Sequence, residues 1–335
     1  MTELFGSRGG AATIALPTRL NYLASNLPST SENWWPQFVD RLIEKHTLLP
    51  LYSPFLPVKR VQEIRVAMGS SDNSTIHNKA GITPSSISSP DWLRFCPACV
   101  ENDRRQFQEC YWHRLHQVPG VEVCPVHNVF LSDSSARSRN RVNSSLYVSA
   151  ESVMQPAVLR PFCLHEPDHQ ALLQIATDAE WLLNNGSSVP SFSSLHHRYQ
   201  SLLAKSGYLT KDGKVSLKRV IPALRNKYSN GLLEAVQCDF DENKGFNWPS
   251  LIVKRITKSK TDPPIRHLLF IQLLGTTVEA FFCRPLKRIL PEKTPKFASP
   301  QDQKPFGEGP WPCLNTVCKQ YRKLKIKSCI VTSSQ

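Results

Sequence analysis

The sequence predicts a mainly α, multi-domain protein, and three observations carry that prediction. Apolar residues recur at i, i+3, i+4 and i+7 in several segments, the spacing of one helix face. Ser- and Pro-rich stretches punctuate those segments at 85–90 and 186–194. About a third of the way along, two short hooks of paired Cys and His residues stand at the two ends of one loop. A chain of 335 residues is long enough for two or three domains, each with its own core.

From the N-terminus, the first thirty residues carry few signals, and Ser7-Arg8-Gly9-Gly10 reads as a loop. Asn33 is the expected cap of the first clear helix, with Pro36 in its first turn, where the missing N–H costs nothing. Trp35, Phe38, Val39, Leu42 and Ile43 form its apolar face, which belongs in a core. Pro50, Pro54 and Pro57 break the chain into extended turns, Val61 to Met68 makes another short helix, and Ser85 to Pro90 reads as a linker.

The hooks follow. Cys96-Pro97-Ala98-Cys99 and Cys124-Pro125-Val126-His127 each offer two ligands two residues apart, and together they complete the tetrahedron that zinc takes in closed structural sites. Cys96, Cys99, Cys124 and His127 are therefore read as one Cys3His zinc site. The 24 residues between the hooks leave room for a helix, placed at Arg104 to Gln117, and a return through Val118-Pro119-Gly120. His113 and His116, three apart on that helix, are rival ligands, although the hooks already supply four.

Beyond the finger, Ser132 to Ser145 reads as a polar loop, and Asp168 to Leu183 as an amphipathic helix stopped at Gly186 in a left-handed cap. Short helices then cluster at Leu195 to Leu203, Leu217 to Tyr228, Gly231 to Val236 and Trp248 to Lys258, with Pro222 marking a kink or a true first turn in the second. Short helices joined by tight turns, one with a cationic outer face, suit a helix-turn-helix that lays one helix in the major groove. The helix from Trp248 is the expected reader. The cations placed against DNA are Lys218, Arg219, Arg225, Lys227, Lys254, Arg255, Lys258, Lys260 and Arg266. A Pro/Lys-rich connector leads to Cys313, Cys318 and Cys329, a second and weaker zinc motif with three sulfurs, either incomplete or completed from outside the chain.

Composition bounds the function. The net charge of +14 is uneven: residues 244–266 hold six Lys/Arg against one acid, and 284–327 hold eleven against three. Cations concentrated this way suit a phosphate backbone. No apolar run is long enough to span a membrane, and no leader opens the chain, so a cytoplasmic protein with reduced thiols is expected. A zinc deaminase would need an upstream H-x-E, and an ATPase a G-x-x-x-x-G-K-[S/T] cradle; both are absent, and a zinc with four protein ligands is closed to water. No enzymatic activity is expected.

The run CPACVENDRRQFQECYWHRLHQVPGVEVCPVHNVFL resembles the signature of the TniQ/TnsD family of Tn-seven-type transposons, and Ile43 to Phe55 resembles TnsD more than the smaller TniQ members. The stretch around Trp311-Pro312-Cys313-Leu314-Asn315 also resembles that family. The resemblance implies five parts: 1–90, a truncated N-terminal helical part of a TniQ domain; 91–131, the Cys3His zinc finger; 132–190, a helical connector; 191–283, a helix-turn-helix-like DNA-binding region; and 284–335, a basic connector with the incomplete cysteine motif. It also implies a target-selecting protein that binds a double-stranded DNA target site and recruits the AAA+ ATPase TnsC beside other transposition proteins. The alternative is a zinc-stabilised protein–protein adaptor, TniQ-like, that never reads bases.

Overall fold

The computed structural model describes residues 16–26, 37–70, 76–82, 86–138, 148–154, 157–160, 162–190, 192–242, 247–257, 262–285 and 309–328. The chain divides into two compact units, Met1–Leu286 and Lys287–Gln335.

The first unit is mainly helical. Its helices are α1 (Leu20–Ser25), α2 (Phe38–His46), α3 (Leu49–Tyr52), α4 (Val58–Gly69), α5 (Ile76–Lys79), α6 (Pro97–Phe107), α7 (Ala150–Val153), α8 (Pro167–Asn185), α9 (Leu195–Lys205), α10 (Leu217–Lys227), α11 (Asn230–Ala235), α12 (Trp248–Thr257), α13 (Pro264–Leu273) and α14 (Val278–Cys283). Two small antiparallel sheets pair β1 (Trp92–Phe95) with β4 (Ser132–Arg137) and β2 (Val123–Cys124) with β3 (Val129–Phe130).

Helix α8 is the axis of this unit. Its 19 residues bury Leu172, Ile175, Ala176, Ala179, Leu182 and Leu183 along one face, as the periodicity predicts. Around it pack α2, α3, β2, α13 and α14. One continuous core runs from Leu16 to Phe282. The Pro-punctuated segment after α2 is pulled into that core: Leu49, Pro50, Leu51 and Tyr52 are buried in α3, and Phe55 stacks on the buried His267 ring at 4.3 Å. Tyr199 Oη lies 2.9 Å from His267 Nδ1 on the other side, so α9 and α13 share this aromatic cluster.

Several expectations are corrected. The helix between the hooks is not Arg104 to Gln117 but Pro97 to Phe107, ended by Gln108 at φ 67°, and the chain regains only one 3-10 turn at Leu115–Gln117. The cause lies at the first hook: Pro97 sits in the first turn and Cys96 Sγ accepts from the Cys99 N–H, so the hook itself nucleates the helix. Gly186 does not take a left-handed cap; its φ is −59°. Glycine is required there for space, because a Cβ would collide with the Pro50 carbonyl oxygen. The expected cap Asn33 and Pro36 lie outside the described residues. Pro222 lies inside α10, on its exposed side. Helices α13 and α14, which bury Leu268, Leu269, Phe270, Ile271, Phe281 and Phe282, were not among the named helices; α13 is apolar on most faces and so lacks a clear stripe.

A buried acid joins α8 to α14. Asp178 Oδ1 accepts from the Val278 N–H at 3.1 Å and from Gln174 at 3.1 Å, while Oδ2 is buried and faces only the Gln272 side chain, beyond good hydrogen-bond geometry. Burial outweighs these bonds and raises the carboxyl to about 6. A carboxyl raised on folding contributes stability that is present below its unfolded value and lost as pH climbs through about 6. Asp178→Asn keeps the acceptor for Val278 and removes the buried charge. It is expected to raise stability at pH 7.5 by up to about 2–3 kcal/mol, with the gain shrinking at pH 5. Melting curves of both proteins at the two pH values check this; a less stable variant at pH 7.5 would refute it.

Candidate functional site

The four hook residues converge. Cys96 leaves β1, Cys99 sits in the first turn of α6, Cys124 ends β2, and His127 lies on the turn into β3. Cys99 Sγ lies 3.7 Å from Cys124 Sγ, and His127 Nδ1 lies 3.6 Å from Cys96 Sγ, 3.3 Å from Cys99 Sγ and 3.6 Å from Cys124 Sγ. A tetrahedral ion with sulfur bonds of about 2.3 Å and nitrogen bonds of about 2.0–2.1 Å sets donor separations of about 3.8 Å for S···S and about 3.6 Å for S···N. The observed edges match that cage, so the buried Cys3His cluster could hold a metal ion.

The charge state agrees. The Cys124 thiol is pulled well down, chiefly by the Cys96 side chain, whereas Cys96 is pushed up to about 11 and Cys99 further still, both chiefly by Cys124. Three crowded sulfurs give up one proton easily and resist losing the rest. A divalent cation removes that resistance, which is why such ligands bind it as thiolates. Asn102 Nδ2 lies 2.8 Å from His127 Nε2; with Nδ1 directed at an ion, Nε2 would carry the proton and the Asn102 amide would turn its oxygen to accept it.

His113 and His116 stand beside this cage. Cys99 also lies in reach of both, forming a second group of three donors. His113 Nε2, however, faces Asp103 Oδ2 at 2.8 Å, and the four-donor set has the complete tetrahedron. His116 is buried, stacked on His113 at 4.8 Å, and burial lowers its pKa. A cleft of about 560 Å³ opens here, lined by Tyr111, His113, His116, Lys45 and Glu180 among others.

Two arginines that sequence reasoning missed hold the loop between the hooks. Arg94 on β1 is buried and donates to His116 O at 3.0 Å, Val118 O at 2.8 Å and Glu122 Oε1 at 2.8 Å. Gln117 completes the tie, accepting from the Arg94 N–H and donating to the Arg94 carbonyl. Arg114 donates to Glu44 O, Thr47 O, Leu183 O and Asn184 Oδ1 at 2.6–3.3 Å, so it neutralises the carbonyl ends of α2 and α8 together. No sequence signal distinguishes either from a surface cation, because their acceptors lie 22 to 70 residues away.

The cations expected at DNA divide. Lys218 and Arg219 are exposed on the first turn of α10, Arg219 giving one N–H to Gly207 O. Arg225 is held by Glu242, Asn230, Asp239 and the Phe240 carbonyl, with its guanidinium over the Phe240 ring at 4.3 Å. Lys227 donates to Gln272 O, and Arg266 to Asp262 and Ser86. Lys254 and Arg255 lie on α12, with side chains outside the described atoms, and Lys258 and Lys260 lie outside the described residues. Helix α12 itself starts as expected, with Asn247 capping Ser250 N and Trp248 buried against Cys238 O.

In the second unit, β5 (Trp311–Pro312) pairs with β6 (Leu324–Ile326). The Cys313 N–H donates to Lys323 O and the Cys318 N–H to Asn315 O, and Cys313 bridges Tyr321, so both cysteines lie on the segment between the two strands. Cys329 lies outside the described residues, and among the described residues no third donor joins the pair.

Comparison with known proteins agrees with this geometry. Residues 34–131, which contain the cage, match the TniQ family model, and residues 175–335 match that of Tn7-like transposition protein D, TnsD. The chain is 26% identical over 265 residues to the transposon Tn7 transposition protein TnsD of Escherichia coli, covering 77% of this chain and 49% of that protein. It thus spans about half the length of this relative. With both models matched in order and the Cys3His cluster inside the first, the chain belongs to the TniQ/TnsD family.

Proposed function

We propose that this chain is a target-selecting, DNA-binding protein of a Tn7-type transposon. Its region 191–283 holds an attachment site on double-stranded DNA, and its N-terminal half recruits the AAA+ regulator TnsC and other transposition proteins. The observation that carries this reading is the ordered pair of family matches, TniQ then TnsD. The net charge of +14 supports the DNA half of it.

In this reading the ion in the Cys3His cage is zinc in a structural role. Three thiolates and an imidazole leave no open position for water, so the centre stiffens the fold and does no chemistry. Cys313 and Cys318 form half of a second such site, with Cys329 as a third ligand. Phosphate contacts from Lys and Arg supply affinity, and a few base contacts supply the address. Helices α10 and α11, joined by a two-residue turn with Ser229 as cap, favour a helix-turn-helix-like unit with α12 packed beside it.

Binding to a duplex carrying the attachment site is expected to weaken with a slope of about 0.9 in log K per log unit of salt for each phosphate neutralised. Mobility-shift titrations at several salt concentrations, with target and scrambled duplexes, test it. Equal affinity for both at every salt would refute target selection by this chain. That outcome would favour the second reading, a zinc-stabilised adaptor without base recognition. One observation leans that way: Arg225, Lys227 and Arg266 are engaged inside the fold.

A further inference from the structure

Between α9 and α10 the chain turns back on itself in a small antiparallel hairpin. Leu209 bridges Val215. The Ser216 N–H donates to Tyr208 O at 2.8 Å, the Thr210 N–H to Lys214 O at 2.7 Å and the Gly213 N–H to Thr210 O at 3.0 Å. Thr210 Oγ1 also accepts from the Lys214 N–H at 3.2 Å. Gly213 supplies the left-handed residue that closes the tip, at φ 71°. Tyr208, Leu209 and Val215 anchor the base against the core, while every residue from Thr210 to Lys214 is exposed.

The hairpin is thus tied at its base and bare at its tip, and its charge is one-sided. Lys205, Lys211, Lys214, Lys218 and Arg219 are all exposed, with Asp212 the one acid from 205 to 219. Among the described residues no ion pair engages any of the five. Arg225, further along α10, is by contrast held by two carboxylates. The Arg219 bond to Gly207 O fixes the first turn of α10 against the base of the hairpin, so the cations sit on an ordered scaffold. Helix α12 packs on both α9 and α10, so the hairpin springs from the same helical unit. Elsewhere in this half, α14 offers the acid Glu279 on its exposed side, a poor match for phosphate.

Resting on the DNA-binding reading above, we propose that residues 208–216 form a phosphate-binding wing. Lys211 and Lys214 contact the backbone of duplex DNA, and Lys218 and Arg219 extend the contact along α10. The wing contributes affinity that is independent of base sequence.

The test uses the full-length chain and two duplexes, target and scrambled. Lys211→Ala/Lys214→Ala is expected to lower the salt slope by about 1.8, two phosphates' worth, and to weaken both duplexes by the same factor. Lys211→Arg/Lys214→Arg should retain the parent slope. Asp212→Asn, which keeps a turn-forming residue and removes the acid, should bind about two- to five-fold tighter at low salt, a gain that misfolding cannot imitate. An unchanged slope in the alanine pair, while the parent still binds, overturns the wing and leaves the DNA-binding reading intact. A parent that binds neither duplex overturns that reading itself. Loss confined to the target duplex overturns the phosphate assignment, since it would mean that the hairpin reads bases.

Discussion

Cys99→Ser and Cys124→Ser are each expected to release the metal and to unfold the segment from β1 to β4. Each thiolate is one corner of a cage whose edges are 3.3–3.7 Å, and each is buried. In a closed structural site the metal-binding free energy is folding free energy, on the order of 10 kcal/mol or more. Serine offers a harder, more basic oxygen at the wrong bond length, so the tetrahedron no longer closes around the three donors that remain. The effect should travel, because β2 packs on α8, the axis of the core. Metal analysis should read one equivalent fewer than in the parent, and circular dichroism should show lost structure. Because the ligands must be deprotonated, the parent should also lose this ion as pH falls, with released metal followed by a chromogenic chelator. A folded Cys124→Ser protein with undiminished metal would remove Cys124 from the ligand set.

Arg94→Ala is expected to have the next largest effect, about 3–5 kcal/mol of lost stability. Arg94 is 6% exposed and satisfies two carbonyls and one carboxylate across the loop between the hooks. Alanine leaves the His116 and Val118 carbonyls and Glu122 without that partner, and the cost is mainly their desolvation. Arg94→Lys should recover only part of the loss, since an ammonium lacks the planar fork by which the guanidinium reaches all three acceptors. Denaturant midpoints measure both variants. An alanine protein within about 0.5 kcal/mol of the parent would show that the network is replaced by water.

The Cys3His cage was legible because its information is local. Two residues between ligands fix a hook in any fold, so Cys96, Cys99, Cys124 and His127 could be named from the text alone. The loop between the hooks was misread for a related reason. Arg104 to Gln117 has the composition of a helix, but the capped hook starts the helix early, Gln108 ends it in a left-handed cap, and Gln117, in its 3-10 turn, is tied to Arg94. The hairpin at 208–216 carries the turn signal Asp212-Gly213, but the strands flanking that signal are too short to show an alternating pattern in the sequence.

Periodicity and spacing therefore determined the helical character, the course of α8 and the two hooks of the Cys3His cluster, since each depends on residues a few positions apart. Only the tertiary structure decided which of the described cations are drawn into the fold. Nothing along the chain separates Arg94, Arg114 and Arg225 from the exposed Lys211, Lys218 and Arg219; carbonyls or carboxylates from other segments reach the first three. Burying an arginine is tolerable only where folding brings enough acceptors to replace water, and that depends on contacts between segments far apart in the chain.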